Sequence, residues 1–287
     1  MTNNSINQTS VARFIEAPTL SINLAGTSFV YRDLGPRGGV PIVMLNHWGA
    51  VLDNFDPRIV DGLASKHRVV TLSYRGMGAS SGKAPLTIGK MANDAIAMVR
   101  ALGFDKIDLL GFSLGGFVAQ DFVLKAPELV RKLILTGTGP AGGVGINKVG
   151  AVSWPLIIKG LFTRRDPKTY LFFTSTANGR SSAVAFLDRL KERKPSRDKE
   201  PAFGAFLRQL KAITAWGNQA PQDLGRIKIS VLVANGDNDI MVPTVNSHDM
   251  ARRIPNAQLI IYKDAGHGGI FQNHADFVTK ALSFLSA

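Results

Sequence analysis

Leu109-Leu110-Gly111-Phe112-Ser113-Leu114-Gly115-Gly116-Phe117-Val118 is the stretch whose reading decides the fold. It holds Gly-x-Ser-x-Gly, a string common enough to arise in loops by chance, so its flanks carry the weight. Before it, Lys106 to Leu110 reads as a short buried strand. After it, Leu114, Phe117, Val118, Phe122 and Ala126 recur at helical spacing until Pro127 stops the run. Strand, tight turn and helix in that order set a serine on a strained corner that lifts its hydroxyl clear of a sheet. Side chains two residues before and two after would collide across the corner, which is why glycine is wanted at 111 and 115. The helix then aims its amino end, with unpaired N–H groups and partial positive charge, at an oxyanion formed there.

Working outward, Ser21 to Leu24 and Ser28 to Asp33 read as a hairpin around Gly26. Pro41 to Leu45 and Arg68 to Leu72 are continuous apolar runs of the kind buried on both faces of a sheet. Ile88 to Leu102 carries a long apolar stripe opened by Thr87 and closed by Gly103. Arg131 to Thr136, Ile229 to Ala234 and Gln258 to Tyr262 are further strands, and a last helix starts near Asn273. Strands alternating with helices predict an α/β fold with a mostly parallel sheet covered on both faces.

One segment breaks the alternation. Residues 141–224 show no buried strand, only apolar helical patches at Trp154 to Phe162, Ala183 to Leu190 and Phe203 to Ile213. The expected organisation is therefore a flexible arm over 1–17, a core made of 18–140 and 225–287, and an inserted helical lid over 141–224.

The chain of 287 residues has 45% hydrophobic and 19% charged residues, an ordinary globular composition long enough for one large domain. No apolar run reaches membrane-spanning length. The amino terminus lacks a basic start and an apolar stretch, so a cytoplasmic location is the expectation. The absence of cysteine rules out disulfides, thiolate metal sites and a cysteine nucleophile. The net charge of +13 is concentrated: Ile146 to Gly225 holds 14 Lys and Arg against 6 Asp and Glu, eight of the thirteen net charges. Nucleic-acid recognition is not expected, because no interleaved aromatics accompany the charge. The mixed-sign run Lys191 to Glu200 reads as a solvated connection, and an anionic small-molecule substrate is the functional alternative that the basic segment leaves open.

A serine nucleophile needs a base at the carboxyl edge of the parallel strands, where the loops converge. Of the five histidines, His267 sits in Asp264 to Gly269, a glycine-rich loop just after the last predicted strand, and fits this place. His67 precedes a strand and lies at the opposite edge, and His248 and His274 fall in helical segments. An acid must then hold the imidazole tautomer. Asp237 and Asp239 both follow the strand ending at Ala234, and for either one the plain alternative is an aspartate that shapes a turn.

The residues Gly111-Phe-Ser113-Leu-Gly115, Gly236-x-x-Asp239-x-x-x-Pro243 and Gly266-His267 resemble the α/β-hydrolase superfamily, over about Ser21 to Leu285. In that family the acid corresponds to Asp239, and the chain order Ser113, Asp239, His267 is the family's order. The resemblance implies a cofactor-free and metal-free hydrolase of small esters, lactones or thioesters. The oxyanion would be held by the N–H of Leu114 and that of Trp48 or Gly49. Carbon–carbon bond hydrolases and cofactor-free haloperoxidases or perhydrolases share these residues, and a weakly catalytic ligand receptor is the alternative of another class. Serine at 113 speaks against the branches that use aspartate there. Two departures are visible: Ser73 stands where an acid usually precedes the turn Arg75 to Ser80, and Asn46-His47-Trp48-Gly49 replaces the family's His-Gly pair.

Two other glycine patterns carry no cofactor. Gly137-x-Gly139-x-x-Gly142 follows a strand, but Pro140 and Gly143-Val-Gly145 oppose the immediate helix a dinucleotide fingerprint needs, so a hinge is expected. Gly76 to Lys83 misses the phosphate-loop spacing and has Ala84 where a magnesium-binding hydroxyl should be.

Overall fold

Among the described residues eight strands form one sheet in the order β1-β2-β4-β3-β5-β6-β7-β8. They span Leu20–Leu24, Thr27–Leu34, Ile42–Leu45, Val69–Leu72, Ile107–Phe112, Val130–Thr136, Ser230–Gly236 and Ala257–Tyr262. The computed structural model describes residues 13–287. β1 and β2 pair antiparallel, β2 pairs antiparallel with β4, and every later pairing is parallel. The burial explains the composition: β3 to β5 are buried at every position, because helices cover both faces.

Helices α1 (Pro57–Ala64), α2 (Ile88–Ala101) and α3 (Leu114–Lys125) fill the first crossovers. Asp56 caps α1 by accepting from the Arg58 N–H, and Thr87 caps α2 by accepting from the Lys90 N–H. Between β6 and β7 come α4 (Val149–Thr163), α5 (Lys168–Leu171), α6 (Ala177–Leu190) and α7 (Phe203–Gly217). After β7 the chain returns to alternation with α8 (Val245–Arg253), then β8, α9 (Gly269–Gln272) and α10 (His274–Ser286).

Two expectations change. Of the arm expected over 1–17, residues 1–12 lie outside the described residues, and the rest is packed rather than loose. Phe14 is 2% exposed and Ala17 is fully buried. The Phe14 N–H donates to Asp61 at 2.6 Å, and Arg193 donates to the carbonyls of Ile15 and Ala17 at 3.0 and 2.9 Å. The run Lys191 to Glu200 is likewise more than a solvated connection. Its Asp198 accepts from the N–H groups of Leu52 and Ala79 and donates its own N–H to Asp53, so charge here anchors the helical segment to the core. Arg193 and Asp198 read as surface charges because their partners are more than a hundred residues away.

The loops that leave the carboxyl ends of β3, β5, β7 and β8 all emerge at one edge. The Arg75 turn is held without the missing acid: Arg75 pairs with Asp94 at 2.6 Å, and the Ser73 hydroxyl donates to the Met77 carbonyl. After β6 the chain turns through Gly137 at φ 52° instead of starting a helix.

Candidate active site

Ser113 sits between β5 and α3 at φ 57° and ψ −118°, a conformation that costs a non-glycine residue on the order of 1–3 kcal/mol. The glycines permit it. A Cβ on Gly111 would strike the Gly115 carbonyl, and one on Gly115 would strike the Leu45 carbonyl. The corner is held further by the Ser113 N–H donating to the Thr136 carbonyl at 2.9 Å.

His267, in the turn after β8, places Nε2 2.9 Å from Ser113 Oγ and Nδ1 2.8 Å from Asp239 Oδ2. A carboxylate only accepts, so Nδ1 carries the proton and Nε2 presents its lone pair to the serine hydroxyl. The other Asp239 oxygen accepts from the N–H groups of Met241 and Val242, both at 2.9 Å, which fixes the carboxylate plane. Ser113, Asp239 and His267 are 6%, 6% and 1% exposed, so this chain of bonds is dry. Asp237 is exposed instead, accepts from the Ala265 N–H and shapes the turn. His67 and His274 are half-buried and His248 is exposed, and none of the three touches Ser113.

The two candidate oxyanion donors at the β3 loop separate clearly. The Gly49 N–H donates to Gln209 Oε1 at 2.8 Å, whereas no acceptor among the described residues takes the Trp48 or Leu114 N–H. Trp48 is fixed from the helical segment: its indole N–H donates to the Phe206 carbonyl at 2.8 Å, and the two rings stack at 4.1 Å.

A pocket of about 200 Å³ opens over Ser113, lined among others by His47, Trp48, Lys168, Phe172 and Phe206. Lys168 lies 3.2 Å from Asp166, so positive charge enters this pocket as an ion pair. A larger depression of about 560 Å³ beside it, with Lys159, Arg165 and Arg180 in its wall, does not include Ser113. Among the described residues no group of three His or carboxylate side chains could hold a metal ion.

His47, Lys168, Phe206 and Gln209 reach the site without having been singled out in the sequence. Three of them lie in the helical segment, where no motif marks them. His47 did leave a signal, because it lies in Asn46-His47-Trp48-Gly49, the stretch that departs from the family's His-Gly pair. It is 5% exposed and packs edge-on against Phe112 and Phe172 at 5.8 and 5.2 Å, the same two rings that contact His267. Burial pushes its pKa down to about 3, with the Lys168 charge acting in the same direction.

The sequence matches the profile described as alpha/beta hydrolase fold over residues 40–274. The chain belongs to the α/β-hydrolase family. Within that family it superposes on an alpha/beta hydrolase fold protein from Chitinophaga pinensis with a TM-score of 0.91 and 35% identity, over 96% of this chain and 100% of that one. It is 27% identical to the proline iminopeptidase PfmaB of Pestalotiopsis fici over 91% of this chain and 96% of that protein. It is also 27% identical to the pimeloyl-[acyl-carrier protein] methyl ester esterase of Aliivibrio salmonicida, covering 86% of this chain and 92% of the esterase. The protein is thus an enzyme of hydrolase type. No helix among the described residues is long and apolar enough to cross a membrane.

Proposed function

We propose that this α/β-hydrolase cleaves a small carboxylic ester, lactone or thioester through an acyl-enzyme on Ser113. The observation that carries the reading is the unbroken chain of hydrogen bonds from Ser113 Oγ through His267 to Asp239, at 2.9 and 2.8 Å, with the serine strained into the pocket. Ser113 Oγ attacks the carbonyl carbon while its proton passes to His267 Nε2. As the bond to the leaving group breaks, Nε2–H returns the proton to it. Water then repeats the sequence: it loses a proton to Nε2, attacks the acyl carbon, and Ser113 regains the proton as the acid departs.

Negative charge forms on the carbonyl oxygen in both halves. The N–H groups of Leu114 and Trp48 are the proposed donors, each worth about 3–4 kcal/mol when aimed at that oxygen. The segment 141–224 is proposed as a cap: Phe206 and Gln209 tie its last helix to Trp48 and Gly49, so its position and the oxyanion loop are set together. The substrate is a small molecule, in keeping with a pocket of about 200 Å³. The methyl ester esterase among the relatives supports the ester reading.

Rapid mixing with p-nitrophenyl acetate and butyrate tests this reading. A burst of one nitrophenolate per protein, with an acyl adduct on the Ser113 peptide by mass spectrometry, is expected. Turnover without any adduct on Ser113 would refute the acyl-enzyme.

A further inference from the structure

The β3 loop contains a buried hydrogen-bonding group that the proposed reaction does not use. His47 Nδ1 lies 2.8 Å from the Trp48 carbonyl, and a carbonyl oxygen only accepts, so the ring proton is on Nδ1. Nε2 is therefore a bare lone pair, buried and without a partner among the described residues. The ring is held still by Phe112 and Phe172 and by its Nδ1–H donating to the Trp48 carbonyl, and the residue's backbone N–H donates to Asn46 Oδ1 at 2.8 Å. His47 also lines the pocket over Ser113. Leaving such an acceptor unpaired costs about 1–3 kcal/mol, a cost that a bound donor removes.

We infer that His47 is a specificity-determining residue that selects substrates carrying a neutral hydrogen-bond donor, a hydroxyl or an amide N–H, near the scissile carbonyl. The inference rests on the ester-hydrolase reading above and sharpens its substrate class. Neutrality of the donor follows from the surroundings. Burial first, and the Lys168 charge second, lower this imidazole's affinity for a proton, so a cationic amine entering here would meet the same desolvation cost and the same repulsion. A hydroxyl or amide donor brings no charge and meets no such repulsion. With its pKa at about 3 the imidazole stays an acceptor throughout the range in which a serine hydrolase works. A pocket built to pair a substrate donor also rejects the analogue lacking it, since the analogue buries Nε2 unpaired.

The test compares matched esters that differ by one group. Butyrate esters would be set against their 2-hydroxy, 3-hydroxy and 2-acetamido counterparts and against the 2-hydroxyethyl ester, with a 2-amino ester as the cationic control. The expected result is that kcat/KM for at least one hydroxyl or amide substrate exceeds that of its parent by tenfold to a hundredfold. The amino ester should show no such gain. In His47→Phe, similar in shape and without an acceptor, the ratio should collapse to within threefold of one, and His47→Gln should restore part of it. A ratio cancels any general loss caused by a disturbed Trp48 loop, so a merely structural histidine would leave it unchanged.

Nitrogen-15 NMR of the imidazole in Ser113→Ala gives a second readout. A protonated Nδ1 and an unprotonated Nε2 are expected, with the Nε2 signal shifting when the preferred ester binds. The inference is overturned by equal rates across all donors, by a ratio that survives in His47→Phe, or by proton placement on Nε2. If Ser113 carried no acyl group at all, the failure would lie with the hydrolase reading, because the NMR tautomer and ligand shift do not depend on turnover.

Discussion

The carboxyl edge of the sheet and the helical segment 141–224 face each other across the same pocket, yet they are built in opposite ways. At the sheet edge every group of the proposed triad is placed by backbone constraint within a few residues of a strand end: Ser113 by the glycine-flanked corner, Asp239 by two N–H groups of its own turn, His267 by the loop after β8. The helical segment is placed by single long-range side chains. Arg193 binds the chain at residues 15 and 17, Asp198 binds the loops at 52 and 79, and Gln209 and Phe206 join it to the loop after β3 at Gly49 and Trp48. Chemistry at the first surface is locally encoded; the shape of the pocket is not.

The contrast sets the order of expected effects. Ser113→Ala and His267→Ala should each lower kcat by about 10⁶, roughly 8 kcal/mol, and the double variant should be little worse, because the groups act as a unit. Steady-state kinetics on a chromogenic ester reads this directly. Asp239→Asn should cost about 10⁴, since an amide can present its N–H to Nδ1 and favour the wrong tautomer. Asp237→Asn, at the neighbouring exposed turn, should change kcat by less than threefold, and a loss comparable to that at Asp239 would break the assignment.

Substitutions in the helical segment should act on a smaller scale and on different parameters. Gln209→Leu removes the acceptor of the Gly49 N–H and should raise KM and lower stability by about 1–3 kcal/mol, measured by urea unfolding, with kcat reduced far less than at the sheet edge. If Gln209→Leu lowered kcat as much as His267→Ala, the helical segment would belong to the chemical machinery, and the distinction would fail.

The last expected effect is a pH dependence of stability, not of kcat. His47 has its folded pKa depressed to about 3 by burial, below the usual value of 6.5, so between these limits the unfolded chain binds the proton and the folded one does not. Stability from this residue is therefore full above pH 6.5 and is lost as pH falls, at about 1.4 kcal/mol per unit within the window. Urea unfolding of the parent and of His47→Phe at pH 7, 6 and 5 should show the parent losing stability more steeply towards acid. Parallel curves would mean that His47 is accessible to protons when folded.

This division also explains what could be read from the sequence. The strands, the serine corner and the loops holding Asp239 and His267 announce themselves because a glycine, a buried apolar run and a chain order are local facts. The helices of 141–224 were visible as apolar patches for the same reason. His47 was visible only as a departure, because its meaning lies in the Trp48 carbonyl and two phenylalanine rings. Gln209, Lys168 and Phe206 could not be read at all, since a residue on an amphipathic helix gives no sign of which loop, about 160 residues away for Gln209 and Phe206, it will meet. Phe14 and Ala17 were missed because an arm looks loose until the arginine that binds it is known.

The most direct test of the central claim is labelling of the folded protein with a fluorophosphonate, followed by intact mass and peptide mapping. One adduct per chain on Ser113 is predicted, absent in Ser113→Ala and slowed by several powers of ten in His267→Ala. A folded protein that takes no label, or takes it at another residue while Ser113→Ala still hydrolyses esters, would contradict the account.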